Sequence, residues 1–486
     1  KGEYEVKLMK NSHEIAQTNV GNAITKYTVS SDIFYTEDSS SGAEIRNLFG
    51  SDSSDGFAVD GSDSGNEIRY MTRANFAATF PVKQENRTMS EALRNKVLYT
   101  QADATAWLNN HSDAIMPVTG ANNGKLVYEN GEITELGLEL GKPENFDNDE
   151  LWDEVLDQLT VTEMQNVVLH GYLQETGANK LTSIGKKANK SVDGPAQIGS
   201  FNQASAGTGF PMPTVLAQTW NAELARSFGT AVGAEAQNMG YTGWYAPGIN
   251  LHRSAFGGRN YEYFSEDTVL TGKMAAAVVK GALNTGTYLF AKHFIGYDQE
   301  SYRDSLYCWM TEQALREVYL KPFKIAIEEG GLTGIMTSYG RIGAVWSGGS
   351  EALLTDLLRN EWGFNGTVLS DYSDHQEFMN GDQMIRNGGD IWMDDWQNGG
   401  RFRYEATSAA MVSAMRTAVK HTIYTRTNAE YVASQYDPAS DGITITKGGA
   451  DGSWWIWILV GVDAALVASI ATMVAVACLK KDKIKP

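Results

Sequence analysis

Cysteine is nearly missing from these 486 residues: only Cys308 and Cys478 occur, so no disulfide framework supports the fold. Basic clusters are scarce as well. The chain has 40 Lys and Arg against 59 Asp and Glu, a net charge of −19, and no Lys/Arg-rich run before its last seven residues. That speaks against a nucleic-acid partner, whose phosphates need basic patches, and weakly favours a neutral or cationic small substrate. The seven histidines are scattered without HExxH spacing, and CxxC does not occur, so no catalytic metal is expected. There is no GxSxG elbow, and the glycines of AFGGRN match neither a P-loop nor a dinucleotide fingerprint, so no cofactor is expected either. A signal peptide is also lacking, since KGEYEVKLMKNSHE carries a charge every few positions.

What is present at the C-terminus is a long apolar run, Trp454 to Cys478, with Asp463 as its one charge. As a helix it would extend roughly 37 Å, enough for a hydrocarbon core about 30 Å thick. Trp454, Trp455 and Trp457 suit an interfacial belt, and Lys480, Lys481, Lys483 and Lys485 follow. The expectation is a single-pass membrane protein in contact with lipid, with helix 454–479, a basic cytoplasmic tail 480–486 and the rest of the chain extracellular. Asp463 is either a contact to a partner helix or a tolerated defect. An exported chain without a signal suggests that Lys1 is not the natural start.

The first thirty residues begin in strand-like alternation with no earlier strands to pair with, and read as the tail of a β domain whose body lies elsewhere. Residues 38–66 are rich in Ser, Asp and Gly and read as a mobile loop within a linker spanning 31–145. DNDELWDEVLDQLTVTEMQNVVLHG then predicts amphipathic helix, with Thr160 or Thr162 as N-cap of its second part.

From about 146 to 435 short apolar runs alternate with helical periods. TVLAQTW precedes NAELARSFGTAVGAEAQNMG, GWYAPGI precedes DTVLTGKMAAAVVKGALNTG, and TYLFAKHF precedes TEQALREVYLKPFKIAIEEGG. GIMTSY, TVLSDY and GDIWMDD each lead into another helical stretch. Repeated strand-then-helix units argue an α/β fold with a parallel sheet, best fitted by a (β/α)8 TIM-like barrel, with a doubly wound open sheet as the alternative. Residues 436–453 would link it to the apolar run. Polar residues gather where the apolar runs end: Asp193, Arg259, Lys292 and His293, Tyr339, Asp371. In a barrel these ends converge on one mouth.

The segments SVDGPAQ, FPMPTVLAQTWN, RSAFGGRNYEYFSED, AKHFIGYDQE, IMTSYGRIG and LLRNEWGFNGTVLSDY resemble, in order and spacing, the barrel domain of glycoside hydrolase family 3, the family of β-glucosidases and related exo-acting enzymes. YMTRANFAATFP and MPVTGANNGK extend the likeness to the linker of members with reversed domain order, in which the barrel comes last and residues 1–30 would be terminal strands of a fibronectin-III-like domain. The resemblance implies that Asp371 is the nucleophile of a retaining glycosidase, which needs a carboxylate at the anomeric carbon. Without it, Asp371 would read as a helix N-cap, a role that suits Asp374 better; His375 has no expected chemical role. Asp193, Arg259, Lys292 and His293 would hold sugar hydroxyls, although D-G-P alone reads as a turn and a Lys-His pair as structural. The nearby cations would lower the pKa of the nucleophile. Tyr339 and Met336 would line the same pocket or fill the barrel. Trp392 and Trp396 would form a sugar platform or pack inside.

N-acetylglucosamine-splitting members carry a KH-x-PGHG-type loop that AKHFIGYDQE lacks, so a glucosidase-like or β-xylosidase-like pocket is expected for a carbohydrate substrate. The acid/base stays unknown. In the family it comes from a second α/β domain, here expected upstream or on a cleaved N-terminal chain, with Glu300, Asp374 and Asp395 as the first candidates within the chain. The alternative is a noncatalytic carbohydrate-binding or scaffold protein on a glycosidase barrel.

Overall fold

The computed structural model describes residues 1–11, 13–19, 21–49, 98–171, 179–199, 207–373, 379–393 and 406–438, together with 460–466, 468, 469 and 472. The chain divides into two units, Lys1–Tyr436 and Asp437–Pro486.

The first unit is built on parallel strands in sequence order. Ser191–Asp193 pairs with Gly243–Tyr245, which pairs with Tyr288–Leu289. That strand resumes as Ala291–Phe294 beside Gly334–Thr337, and Gly334–Thr337 lies beside Thr367–Leu369. Gly248 bridges Lys292 and Leu369 bridges Ile391, so the run is continuous from Ser191 to Ile391. The Trp392 N–H donates to Val168 O at 2.7 Å, and Gly171 N–H to Trp392 O at 3.0 Å, which carries the ring to the segment after helix Val161–Leu169. This is the TIM-barrel-like arrangement expected from the strand-helix alternation.

The helical periods fold as read: Ala222–Asn238, Thr268–Leu283, Lys321–Gly330, Ala352–Glu361 and Ala409–Gln435. Thr160, not Thr162, caps Val161–Leu169 in a capping box with Glu163. TVLAQTW is a correction. Pro213 at the first helical position starts the short helix Pro213–Ala217, and the strand of this unit is Ser191–Asp193 instead. Helices Ala222–Asn238 and Thr268–Leu283 meet backbone to backbone. A Cβ on Gly229 would lie 2.1 Å from Val278 O, and one on Gly281 2.0 Å from Arg226 O.

Buried strand residues such as Val192, Trp244, Leu289, Phe294, Ile335 and Val368 form the barrel core. A second core joins Val127, Trp152, Leu159 and Met164 to Met415 and Val419 of the last helix, so part of the expected linker packs against the barrel unit. The beginning of the Ser/Asp/Gly-rich loop is docked rather than loose: Phe49 is 6% exposed within the core, its N–H and that of Leu48 donate to Glu312 at 3.1 Å, and Asp38 pairs with Lys324. The remainder of that loop lies outside the described residues. At the N-terminus, Gly2–Lys7 has a partner within the chain, Ile24–Val29, in an antiparallel pair whose Tyr4, Val6 and Tyr27 stay exposed.

In the second unit, residues 460–466 are helical, and Val460, Val462 and Leu466 are exposed. Most of the expected span 454–479 and all of the tail 480–486 lie outside the described residues. Among the described residues no helix is long and apolar enough to cross a membrane. On that finding the expected transmembrane helix and the membrane localisation are corrected.

Candidate active site

Asp371 stands two residues past the strand Thr367–Leu369. The intervening Ser370 fixes the chain there. Its N–H donates to Ile391 O at 2.9 Å, and its hydroxyl accepts from Met393 N at 2.8 Å. A buried ion-pair chain anchors the strand itself: Asp390 Oδ2 accepts from Val368 N and Arg359 Nη2, both at 2.6 Å, while Oδ1 meets His421 Nδ1 at 2.7 Å.

The Asp371 carboxylate is asymmetric. Oδ1 accepts from Tyr372 N at 2.8 Å, whereas Oδ2 is buried with no hydrogen-bond partner. His293 Nε2 lies 3.7 Å from Oδ2. Burial pushes the Asp371 carboxyl up to about 6, against the pull of Arg259, Lys292 and Arg303. The expected lowering by neighbouring cations is thus reversed in sign, because desolvation outweighs them. The group is still mostly ionised at neutral pH.

Lys292 and His293 occupy the strand Ala291–Phe294 and are 3% and 1% exposed. Lys292 Nζ donates to Asp193 Oδ1 at 2.7 Å, and Gly194 N donates to the same oxygen at 2.8 Å. Both bonds reach Oδ1. Burial opposes the Asp193 carboxylate, but Lys292 more than offsets it and holds the pKa below the ordinary value. Asn250 grips the His293 backbone at both ends, accepting from its N–H at 2.7 Å and donating to its carbonyl at 2.8 Å. The ring stacks on Tyr297 with centroids 4.7 Å apart. Burial, then Arg259, Lys292 and Arg303, keep the imidazole neutral.

Arg259 opens the turn Asn260–Glu262, donates from Nε to the buried Glu262 at 2.5 Å and lies over the Tyr297 ring at 5.3 Å. Tyr339 donates its hydroxyl to Tyr372 O, and Arg303 covers its ring at 4.6 Å. Five of the expected residues, Asp371, Asp193, Arg259, Lys292 and His293, together with Tyr339, therefore share one connected network. Met336 is 4% exposed within the barrel core. Trp392, 3% exposed, clusters with Tyr297, Tyr339 and Trp346, which makes it packing behind the site. Asp374, His375, Asp395 and Trp396 lie outside the described residues. Glu300 has both oxygens engaged, by Tyr297 Oη at 2.7 Å and Arg303 Nη1 at 2.9 Å.

Glu262, Tyr297 and Arg303 were not singled out from the sequence. The spacings Arg259/Glu262 and Glu300/Arg303, each of three residues in the short turns after strands, were the available signal. Among the described residues no cluster suited to a metal ion occurs.

The strand ends thus gather one under-coordinated carboxylate among cations and neutral polar groups. Residues 180–386 match the glycosyl hydrolase family 3 N terminal domain, and this part of the chain is that family's barrel domain. The chain is similar to a beta-glucosidase of Rhizobium radiobacter (34% identical over 223 residues, 45% of this chain and 27% of the relative). It is also similar to beta-glucosidase B of Emericella nidulans (36% over 222 residues, 45% and 26%). Among solved structures, a beta-glucosidase from Paenibacillus barengoltzii superposes with a TM-score of 0.55 at 25% identity, covering 72% of this chain and 38% of that one. The beta-glucosidase 3B of Thermotoga neapolitana in complex with glucose gives 0.50 at 28%, covering 60% and 45%. The chain spans about a quarter of the length of these curated relatives.

Proposed function

We propose that this chain supplies the nucleophile half of a retaining, exo-acting β-glycosidase of the β-glucosidase type. The observation that carries this reading is the Asp371 carboxylate, held at Oδ1 and bare at Oδ2, at the mouth formed by Asp193, Arg259, Lys292 and His293. In the reaction, Oδ2 attacks the anomeric carbon as the bond to the leaving oxygen breaks, and that oxygen takes a proton from the acid/base. Water then adds to the anomeric carbon as the bond to Asp371 breaks, returning its proton to the same acid/base. Asp193 Oδ2 accepts from a sugar hydroxyl, Lys292 and Arg259 donate to others, and neutral His293 hydrogen-bonds a hydroxyl without adding charge. Tyr339 holds the Tyr372 carbonyl, and the N–H of the same residue holds Asp371 Oδ1. Met336 fills the barrel beneath the sugar.

The acid/base is supplied by an upstream α/β domain or a separate N-terminal chain, consistent with relatives about four times as long as the matched region. The hairpin Gly2–Lys7/Ile24–Val29 is the tail of a β domain in that arrangement. A 2-fluoro β-glucoside should label the peptide containing Asp371, and Asp371→Ala should lose turnover of an aryl β-glucoside by several orders of magnitude. Label on another carboxylate refutes the assignment. No label with retained sugar binding favours a noncatalytic carbohydrate-binding barrel, and labelling only by the xyloside favours β-xylosidase specificity.

A further inference from the structure

Lys190 precedes the strand Ser191–Asp193, and Thr242 precedes Gly243–Tyr245, so both lie at the barrel end opposite Asp193. There they line a cavity of about 430 Å³ with Tyr128, Lys180, Lys186, Lys187 and Arg426. Five cations surround one space with no carboxylate among its described lining residues, on a chain whose net charge is −19. Like charges placed together cost energy unless an anion offsets them.

The fold builds this cluster deliberately. Leu181 bridges Lys186 through a tight turn closed by Gly185 at φ +73°, and a Cβ there would lie 1.9 Å from Tyr128 O. Only glycine lets the turn press against Tyr128 and deliver Lys186 to the cavity. Lys186 is 4% exposed, and among the described residues its ammonium reaches only the Lys187 carbonyl, at 3.3 Å. Among those residues two of its three N–H donors have no acceptor to balance their burial. Tyr128 is 6% exposed, and its hydroxyl lies against the Arg426–Glu430 pair of the last helix. Arg426 and Glu430 pair through Nη2 and Oε1, one helical turn apart on Ala409–Gln435, which fixes the guanidinium beside the cavity.

We propose that this cavity binds a multiply charged oxyanion of the phosphate class, either inorganic or carried on a small organic ester. Lys186, Arg426 and Tyr128 donate to its oxygens from the buried side, and Lys187, Lys190 and Lys180 close over the open side. Burial and Arg426, against the pull of Glu430, hold the Lys186 ammonium down at about 7, and a bound anion offsets the repulsion from Arg426. The site is separate from the sugar pocket and does not depend on the glycosidase reading.

The test is calorimetric titration of the full chain at constant ionic strength with pyrophosphate, inorganic phosphate and glycerol phosphate, against chloride as background. Saturable binding of one anion per chain is expected, weakened at least 10-fold in Lys187→Gln/Lys190→Gln and unchanged in Lys273→Gln, whose cation pairs with Glu329 elsewhere. Tighter binding of glycerol phosphate than of pyrophosphate identifies an organic ester as the natural class, and the reverse order identifies an inorganic one. Lys186→Met probes the buried donor, while the exposed double variant gives an answer even if that substitution unfolds the chain. Absence of saturable binding, or equal affinity in the double variant, overturns the proposal. So does thermal stabilisation by these anions that persists undiminished in the double variant.

Discussion

Lys292 Nζ reaches Asp193 Oδ1 across 2.7 Å, tying the ends of two barrel strands together with a cation that is 3% exposed. The pair keeps Asp193 ionised and fixes the orientation of its carboxylate. Lys292→Met removes both effects. A hydrogen bond to a charged group is worth about 1.5–3 kcal/mol, so kcat/KM for an aryl β-glucoside should fall roughly 10- to 150-fold. The loss should appear in KM as well as kcat, and steady-state kinetics of the complete enzyme checks it.

The elevated Asp371 carboxyl makes a stability prediction independent of turnover. Its folded pKa of about 6 lies above the ordinary 3.8. The stabilisation from holding it protonated is therefore full below about pH 3.8 and is lost as pH rises through about 6. Above that, the buried charge weighs against the fold by on the order of 3 kcal/mol. Asp371→Asn should therefore raise Tm relative to the parent at pH 7.5, with the difference shrinking toward pH 4. A constant difference across a series of thermal melts would contradict the burial argument.

Asp390 serves three partners at once, Arg359, Val368 and His421. Asp390→Ala leaves Arg359 buried without its counter-charge and frees the Val368 N–H. Breaking a buried pair costs about 3–5 kcal/mol. Denaturant titration should show that loss, accompanied by a lower yield of folded protein. Asp390→Asn should retain part of the stability, because its amide oxygen can still accept from Val368.

The seam between Ala222–Asn238 and Thr268–Leu283 predicts intolerance to a single methyl group. Gly281→Ala places a Cβ 2.0 Å from Arg226 O, inside any allowed contact. Helix propensity favours alanine by roughly 1 kcal/mol, yet the overpacking should outweigh it by about 1–3 kcal/mol. A lowered Tm for the variant checks this.

The alternation of β-branched runs with amphipathic periods was legible because each barrel unit repeats it, and the gathering of Asp193, Lys292, His293 and Asp371 was legible because they stand at or near the ends of those runs. TVLAQTW misled because Thr214 and Val215 mimic a strand, while Pro213, the residue that starts the helix, sits just outside the quoted run. Long-range couplings left no mark in the sequence: the bond from Asp390 to Val368 joins residues 22 apart, and Glu312 to Phe49 joins residues 263 apart. The sign of the Asp371 shift was not legible either. Charges can be counted along a chain, but burial depends on which surfaces meet, and here burial is the larger effect.

The glycine seam also bears on how such a barrel can change its ligand. Where two helices touch through their backbones, no side chain between them can shrink or swing to let the strands beneath move apart. Asp193 and Lys292 are carried by strands flanking Gly243–Tyr245 and its continuation at Gly248, so their spacing is set by the ladders to that strand beneath the seam. A lineage adapting this mouth to a bulkier ligand has little to adjust in that quarter. Its variation has to accumulate in the loops that follow the other strands.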